Sequence, residues 1–235
     1  MKVQLYSGGM DSWLISHLWK PDLKIYIDIH GDYSEAEKKR LPEDVKIIDM
    51  PLLGEFELPN KFVPLRNLYF IMIASHYGDE ICLGATAGDG SKDKNLDFLN
   101  YMEDLLNFFW NDKKVHKTLK VEKRFAKMSK GEILREYLKM GGSIEDVRRE
   151  SFSCYTPIDD KECFDCYPCF RKFAMLLANG CEYSDEEMAK MWDFVQRKII
   201  PTKEEGGYEG TYYTDRGEES KDLIKAVEML KEKYA

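Results

Sequence analysis

Two groups of residues in this chain combine side-chain types and spacing that could do chemistry, and the first lies near the amino end. The string Ser-Gly-Gly-Met-Asp-Ser at 7–12 follows a short apolar run and begins an amphipathic segment. A strand that turns sharply through two glycines into a helix presents backbone N–H groups and the positive helix end to a phosphate. The sequence therefore predicts a phosphate-binding loop, with a plain strand-to-helix turn as the alternative.

The residue types within this loop suit the binding of a nucleotide. Ser7 and Ser12 add hydroxyl donors, and Asp11 is placed to orient the turn or to hold Mg²⁺ near phosphates. The Walker pattern Gly-x-x-x-x-Gly-Lys-Ser/Thr occurs nowhere in the chain, which excludes a P-loop kinase or GTPase. The predicted nucleotide-binding residues are Ser7, Gly8, Gly9, Met10, Asp11 and Ser12.

The second group is a set of four cysteines with the spacing C-x8-C-x2-C-x2-C, formed by Cys154, Cys163, Cys166 and Cys169. Four thiolates in this register can close a tetrahedral Zn²⁺ site with no vacant position, as a structural zinc requires. C-x2-C-x2-C also begins iron–sulfur motifs, but the usual fourth cysteine followed by proline is absent. Ordinary core cysteines are a third interpretation. We expect a zinc site.

Length, composition and charge narrow the classes of protein to consider. With 235 residues, of which 43% are apolar, the chain can form one α/β domain with a helical extension and is not disordered. No apolar run approaches the roughly 20 residues of a membrane span, so no membrane partner is expected. A net charge of −8 argues against broad binding to nucleic acid. Because the chain begins without a signal segment, we expect a cytoplasmic protein.

The elements that must position these groups alternate between strand and helix. Strands are predicted at 3–6, 24–30, 46–50, 80–85 and, in a lysine-rich segment, 115–125. Helices between them give a doubly wound α/β fold with a mainly parallel, five-stranded sheet. Ligands of such sheets bind beyond the carboxyl ends of the strands, which is where the predicted phosphate loop would lie.

The predicted elements also divide the chain into two regions. Residues 1–140 should form the nucleotide-binding α/β domain, and 141–235 a zinc-binding, helical region packed on it as one unit. A glycine- and tyrosine-rich loop at 206–213 precedes the last helix. The helix predicted at 95–110 is amphipathic, and its apolar stripe is expected to lie in the core. That stripe consists of Phe98, Tyr101, Leu105, Phe108 and Phe109.

Two basic residues are predicted in the first turn of a helix, where the helix dipole favours anions. Arg66 follows Pro64 at the start of an apolar helix, and Lys130 follows Ser129, which forms a predicted capping box with Glu132. A phosphate or carboxylate nearby would explain both basic residues, whereas an ordinary surface position is the alternative for Arg66. The polar loop after the fourth strand is expected either to contact a substrate or to be a solvated turn.

In their order and spacing, these motifs resemble the 7-cyano-7-deazaguanine synthase (QueC) family of PP-loop ATP pyrophosphatases. The likeness runs through most of residues 1–178, and the resemblance implies an adenine nucleotide alpha hydrolase-like fold. Three of the motifs are SGGMDS at 7–12, Asp89 five residues after Gly84, and SCY at 153–155 with the cysteines that follow. Two more differ slightly from the family pattern: FVPLRN at 62–67, where the family has FVPGRN, and SKGEI at 129–133, where the family has TKAEI.

The resemblance implies an ATP-dependent ligase of 7-deazapurine (queuosine-type) biosynthesis. ATP would bind at the phosphate loop with Mg²⁺, and the carboxylate of 7-carboxy-7-deazaguanine would attack the α-phosphate. The acyl adenylate would react with ammonia to give an amide, and a second adenylation and dehydration would give the nitrile preQ0. The resemblance also implies that Asp11, Ser12, Arg66 and Lys130 are catalytic, that Asp89 and Ser91 bind the substrate, and that Cys154, Cys163, Cys166 and Cys169 hold Zn²⁺.

The expected partners are these small molecules, without direct nucleic-acid binding, and a homodimer is a candidate assembly.

Two departures from the family pattern bear on the substrate: the segment at 90–98 lacks the family's Tyr-Pro and Cys-Arg, and Leu65 replaces a glycine. An enzyme that stops at the amide or uses another acid is therefore an alternative. A tRNA-thiolating relative is another, but it would need a sulfur-relay cysteine and a basic face. A third is a zinc-braced module that senses ATP without catalysis.

Overall fold

Strands and helices alternate through the first half of the chain, and helices predominate after residue 130. The computed structural model describes residues 1–31, 33–59, 62–89, 91–201, 213–214 and 216–234, so the predicted loop at 206–213 lies outside the described residues apart from Tyr213. The elements of the first half are β1 (Lys2–Leu5), α1 (Met10–Trp19), β2 (Leu23–Asp28), α2 (Ser34–Lys38), β3 (Val45–Asp49), α3 (Pro51–Gly54), α4 (Arg66–Ala74), β4 (Glu80–Cys82) and α5 (Leu96–Trp110). The second half contains β5 (Asn111–Asp112), β6 (Val115–His116), β7 (Lys120–Val121), α6 (Lys130–Lys139), α7 (Ile144–Glu150), α8 (Tyr167–Ala178), α9 (Asp185–Phe194) and α10 (Glu219–Tyr234).

Five parallel strands form the central sheet in the order β3-β2-β1-β4-β7. Val3, Ile25 and Ile81 on its three central strands are fully buried, as expected for a parallel sheet covered on both faces. Because β1 has β2 on one side and β4 on the other, the strand order reverses at β1. A crevice for ligands is therefore expected beyond the carboxyl ends of β1 and β4. The prediction of a doubly wound, five-stranded parallel sheet is confirmed.

The fifth strand is shorter than the sequence predicts. Within 115–125 only Lys120–Val121 joins the sheet, and the residues at the start of the segment pair with Asn111–Asp112 in a separate hairpin. Asn107 of α5 hydrogen-bonds to both the backbone N–H and the carbonyl of Leu119. The prediction of one strand over the whole segment is wrong, because a side chain of α5 takes the backbone groups that a longer strand would pair.

Helices cover both faces of the sheet. α4 and α5 pack on one face, where Ile71 and Leu99 are fully buried. On the other face, one buried cluster joins Trp13 of α1 to Phe170 of α8 and Leu223 of α10. The α/β part and the helical part thus share a core, and the division at residue 140 remains a proposal about organisation. None of the helices in the described part of the chain has the length and apolar character that crossing a membrane requires.

The core-facing stripe of α5 differs from the predicted one. Leu99, Met102 and Leu106 are buried, whereas Tyr101, Phe108 and Phe109 have 72%, 76% and 67% of their surface exposed. Leu105 is also exposed, and Phe98 is partly buried against the core. The prediction for this stripe is therefore wrong for four of its five members, because α5 is apolar around more of its circumference than the sheet can cover.

Candidate active site

Residues 7–12 form the turn that the sequence predicts between β1 and α1. Gly8 has a φ of +74°, a conformation that glycine adopts without strain, and Gly9 is the N-cap residue of α1. The Ser12 hydroxyl donates to the carbonyl of Gly9 at 3.0 Å, and its oxygen lies 3.4 Å from Ser7 Oγ. Since a glycine cannot cap a helix with a side chain, the first-turn N–H groups depend on acceptors from outside the helix.

Asp11 and Lys130, which lie 119 residues apart in the chain, meet at this loop in an ion pair between Lys130 Nζ and Asp11 Oδ2. Only 6% of the Lys130 side chain is exposed. Burial lowers the pKa of Lys130 well below its ordinary value and nearby Arg171 lowers it further, whereas the negative charge of Glu219 opposes this shift. The predicted capping box of Ser129 and Glu132 is present and fixes the start of α6, from which Lys130 projects.

The second carboxylate oxygen of Asp11, Oδ1, is buried and has no hydrogen-bond partner among the described residues. A buried polar atom in this state costs free energy unless a ligand or an ion satisfies it. Mg²⁺ prefers oxygen ligands and is commonly held by one or two carboxylates together with phosphates. Asp11 therefore fits the cation that a nucleotide would bring.

A cavity of about 370 Å³ lies beyond the carboxyl ends of β1, β2 and β4, a volume in the range of small-ligand sites. The residues of the loop at 7–12 that line it are Ser7, Gly9, Met10, Asp11 and Ser12. Arg66, Asp89 and Lys130 line the same cavity. The structure thus brings most of the predicted site residues together at the strand ends, and their individual roles remain predictions.

Arg66 is the first residue of α4 and points into this cavity. Its NH1 group donates to the hydroxyl of Tyr33 at 3.3 Å, and its guanidinium lies 5.9 Å from the ring centroid of Phe70. Tyr33 and Phe70 also line the cavity. An arginine at the positive end of a helix is therefore held beside the space that an anionic ligand would occupy.

Leu65, which stands where the family pattern has glycine, adopts the left-handed conformation with φ 62°. Replacing Leu65 by glycine is expected to raise the free energy of unfolding by about 0.5–1 kcal/mol, because it removes about 1–2 kcal/mol of backbone strain at some cost in unfolded-state entropy. Its side chain is exposed, so little burial is lost. Urea denaturation measures the change, and Leu52→Gly in α3, at an exposed helical position, should instead destabilise. A similar loss of unfolding free energy in Leu65→Gly and Leu52→Gly would contradict the assignment of backbone strain to Leu65.

Asp89 is buried at the cavity wall, and its carboxylate accepts a hydrogen bond from the N–H of Thr86 at 3.1 Å. Burial raises the pKa of the Asp89 carboxyl, but the charges of Lys94 and Arg171 outweigh it, so the pKa lies below its usual value. Ser91 is placed differently: its hydroxyl donates to the carboxylate of Asp93. The structure brings Asp89 to the other site residues and leaves a substrate contact of Ser91 as a prediction.

One wall of the cavity is formed by residues that the sequence analysis did not single out, among them Tyr26 and Glu37. The Tyr26 hydroxyl donates to Glu37 Oε2 at 2.8 Å. Burial raises the pKa of the Glu37 carboxyl to about 7, against the opposing effects of this hydrogen bond and of Arg66. In the sequence, Glu37 belongs to a charged segment typical of a solvated helix, so no signal distinguished it.

Glu37 should make the stability of the protein depend on pH. Because its folded-state pKa lies above the ordinary value of 4.5, the folded state binds a proton that the unfolded state has lost between about pH 4.5 and 7. The free energy of unfolding of the wild type should therefore fall as the pH rises through that window. The fall should exceed that of the variant Glu37→Gln by about 1–2 kcal/mol. Denaturation curves at pH 5 and pH 8 measure this. Glu35→Gln, at an exposed position on the same helix, should show no such trend; a pH-independent difference for Glu37→Gln would contradict the prediction.

The four predicted cysteine ligands form one group. Their sulfur atoms all lie within 4.8 Å of one another, and the Sγ atoms of Cys163 and Cys169 are 3.9 Å apart. Hydrogen bonds from Cys166 and Cys169 lower the pKa of the Cys154 thiol to about 2, and hydrogen bonds with Cys154 and Cys166 raise the pKa of the Cys169 thiol. One thiolate is thus favoured without a metal, and further thiolates need a cation to balance their charge. The donor set fits a thiolate-binding metal ion.

The segment that carries Cys154 is hydrogen-bonded to the phosphate loop. The N–H of Phe152 donates to the carbonyl of Gly8 at 2.8 Å, and the N–H of Met10 lies 3.4 Å from Ser153 Oγ. The cysteine group is therefore joined directly to the start of α1. Ser153 is part of the SCY string noted in the sequence, but only the fold reveals that it meets the loop.

Comparison with known proteins gives a family for this chain's central part. A family model described as queuosine biosynthesis protein QueC matches residues 41–179, which is 139 of the 235 residues. The matched segment contains Arg66, Asp89, Lys130 and the four clustered cysteines.

Among curated proteins, the chain is similar to several 7-cyano-7-deazaguanine synthases. That of Thermoplasma acidophilum is 28% identical over 163 residues, with 66% of each chain covered. That of Buchnera aphidicola is 28% identical over 176 residues, covering 71% of this chain and 72% of the relative. That of Marinobacter nauticus is 26% identical over 219 residues, covering 76% and 93%. The alignments thus span from about two thirds to most of the relatives' lengths.

Among solved structures, the chain is similar to the U34-tRNA thiolase NcsA from Methanococcus maripaludis with its 4Fe-4S cluster. The two share 17% sequence identity and a TM-score of 0.37, and the match covers 83% of this chain and 71% of the other.

Proposed function

Since the chain belongs to the QueC family of queuosine biosynthesis proteins, we propose that it is an ATP-dependent ligase that makes 7-cyano-7-deazaguanine from 7-carboxy-7-deazaguanine and ammonia. The observation that carries the proposal is the meeting of Asp11 and Lys130 at an anion-binding loop, in one cavity with Arg66 and Asp89. A nucleotide phosphate and a carboxylate would both find cationic and backbone donors there.

The reaction would use the loop to hold ATP so that the acid can attack its innermost phosphorus. A carboxylate oxygen of the acid forms a bond to the α-phosphorus, and the bond to pyrophosphate breaks. Ammonia then attacks the acyl carbon and AMP leaves, which gives the amide. A second ATP then adenylates the amide oxygen and releases pyrophosphate, and loss of AMP and two protons gives the nitrile. Adenylation thus converts a poor electrophile into one with a good leaving group.

The residues of the cavity have separate tasks in this proposal. Lys130 and Arg66 would balance the negative charge that develops on the phosphates, and burial of Lys130 keeps its charge from being screened by water. Asp11 would hold Lys130 with one carboxylate oxygen and Mg²⁺ with the other. When bound, Mg²⁺ would neutralise phosphate charge and orient the leaving pyrophosphate. Asp89, which lines the same cavity, would contact the acid.

We also propose that the cysteine group holds a structural Zn²⁺. Four sulfur ligands fill all the positions of a tetrahedral zinc site, so the metal would stabilise the fold rather than activate water. Through Phe152 and Ser153, such a site would fix the position of Gly8 and Met10 in the phosphate loop. Cytoplasmic localisation agrees with reduced cysteines that serve as metal ligands. A homodimer remains a prediction that sedimentation analysis would check.

Mass spectrometry of the products formed from ATP, ammonia and 7-carboxy-7-deazaguanine tests the function. We expect AMP and pyrophosphate to form only when the acid is present, together with a product of the nitrile's mass. Accumulation of the amide would favour an enzyme that stops after one adenylation, and AMP formed only with another acid would favour a different substrate. The absence of any acid-dependent AMP would overturn the proposal and favour the ATP-sensing module.

The tRNA-thiolating alternative is disfavoured by the two remaining cysteines. Cys82 and Cys181 are both buried, and burial raises the pKa of their thiols to about 12 and about 11. A sulfur-relay cysteine needs an accessible thiol that ionises readily, and neither of these residues meets that need.

A further inference from the structure

The last helix of the chain reaches the cavity wall through a buried glutamate. Glu219, the first residue of α10, has 0% of its side chain exposed. Its carboxylate accepts two hydrogen bonds from the guanidinium of Arg171, from Nε at 2.8 Å and from the second nitrogen of the fork at 2.9 Å. A bidentate pair fixes the plane of a guanidinium as well as its position. Glu219 therefore determines how Arg171 is oriented.

Gly88 leaves the space that the Glu219 carboxylate occupies. A Cβ atom at Gly88 would lie 1.6 Å from Glu219 Oε2, which is far inside van der Waals contact. Arg216, just before α10, donates to the carbonyl of Gly88 at 2.7 Å, and its Nε lies 3.5 Å from Glu219. The start of α10 is thus joined both to the loop that follows β4 and to Arg171 on α8.

Arg171 lies where its guanidinium can meet a ligand. It lines the cavity beside Asp89, and its NH1 group forms an ion pair with Asp89 Oδ1 at 3.6 Å. Besides Arg171, the described part of the cavity wall carries the cationic side chains of Arg66 and Lys130, which would attract an anionic ligand. The guanidinium is therefore fixed on one edge by Glu219 and presented to a cavity that favours anions.

We propose that Arg171 binds an anionic oxygen group in the cavity, the carboxylate of the acid or a phosphate of the nucleotide, and that Glu219 is the positioning residue that orients it. The inference rests on the proposed function, although binding measurements test it apart from turnover. Because α10 lies outside residues 41–179, the family match does not account for this contribution to the site.

Calorimetric titrations of the zinc-loaded protein with Mg²⁺ and a non-hydrolysable ATP analogue, and separately with 7-carboxy-7-deazaguanine, test the proposal. Arg171→Ala should weaken the binding of one of these ligands about tenfold or more, and Glu219→Gln should weaken the same ligand about three- to tenfold. The double variant should bind no more weakly than Arg171→Ala, because Glu219 acts through Arg171. A weakened acid identifies the carboxylate as the bound group, and a weakened nucleotide identifies the phosphate.

The neighbouring residue Glu218 provides the matched control. Its side chain is 59% exposed and pairs with Lys221, so Glu218→Gln should leave both affinities unchanged. If Arg171→Ala does not fold, Arg171→Lys replaces it, since lysine keeps the charge but loses the bidentate geometry. The proposal would be overturned if the Arg171 variant bound both ligands with wild-type affinity. It would also be overturned if Glu219→Gln reduced the ligand affinity equally in the wild type and in the Arg171 variant. If the wild type forms no AMP with any acid, the proposed function fails, while the titrations still decide the role of Arg171.

Discussion

Asp11→Asn is expected to reduce acid-dependent AMP formation by about two to three orders of magnitude, without loss of the fold or of bound metal. Asparagine keeps the shape of the side chain and an amide oxygen for Lys130, but it removes the charge that would hold Mg²⁺ against the phosphates. The buried Oδ1 atom, which has no hydrogen-bond partner in the described part of the chain, belongs to the carboxylate whose charge is lost. Initial rates of AMP release at saturating ATP, acid and ammonia measure the effect.

Asp44→Asn is the control for a general effect of removing an aspartate. Asp44 also pairs with a lysine, Lys24, at 2.8 Å, but its side chain is 65% exposed and lies outside the cavity wall. This variant should keep the wild-type rate, because exposed ion pairs contribute little. If Asp11→Asn retains AMP formation within a few-fold of the wild type, Asp11 does not act on the phosphates. A rate that recovers at high Mg²⁺ would instead support the assignment.

Local sequence patterns were sufficient to predict the turn at 7–12, the grouping of the four cysteines and the capping box at the start of α6. Each of these features depends on residues that are close together in the chain, such as Ser129 and Glu132 or the two glycines of the loop. The parallel arrangement of the strands also followed from the alternation of strand and helix. In these cases the physical requirement, an acceptor for the unpaired N–H groups at a helix start or four sulfur ligands for one ion, is met within a short segment.

Features that depend on distant segments could not be predicted in the same way. An apolar stripe indicates that a helix is amphipathic, but only the size of the surface beneath it decides which side chains are covered, as Tyr101 and Phe108 of α5 illustrate. The pair of Arg171 and Glu219 spans 48 residues and depends on the space left by Gly88. Glu37 acquires its raised pKa from burial, which a charged local sequence conceals.

The hydrogen bonds between the cysteine segment and the loop at 7–12 would connect the proposed metal binding to the proposed nucleotide binding. Ser153 is adjacent to Cys154 and contacts Met10, and its own N–H donates to Glu162 Oε1 at 2.7 Å. Glu162 in turn pairs with the buried Lys172 of α8. A metal that fixes Cys154 would therefore also restrict the segment that supports the start of α1. Loss of that metal should therefore weaken ATP binding, and Cys154 itself lines the cavity beside the loop.

Cys166→Ser is expected to lose the bound zinc and at least about 3 kcal/mol of the free energy of unfolding, because metal binding and folding are coupled in a four-cysteine site. A serine hydroxyl does not replace the thiolate, and the three remaining sulfur atoms leave the tetrahedral site incomplete. The same variant should bind the Mg²⁺–ATP analogue more weakly than the wild type. Elemental analysis, urea denaturation and calorimetry measure the three effects.

Cys181→Ser separates the loss of a metal ligand from the loss of a buried thiol. Cys181 is 2% exposed and its thiol lies 3.5 Å from Glu145 Oε1, outside the cysteine group. Its replacement should cost about 1 kcal/mol, and one equivalent of zinc should remain bound. One bound zinc in both variants would contradict the assignment of Cys166 as a ligand. Loss of zinc from Cys166→Ser with unchanged stability and unchanged nucleotide affinity would show that the metal neither supports the fold nor fixes the phosphate loop.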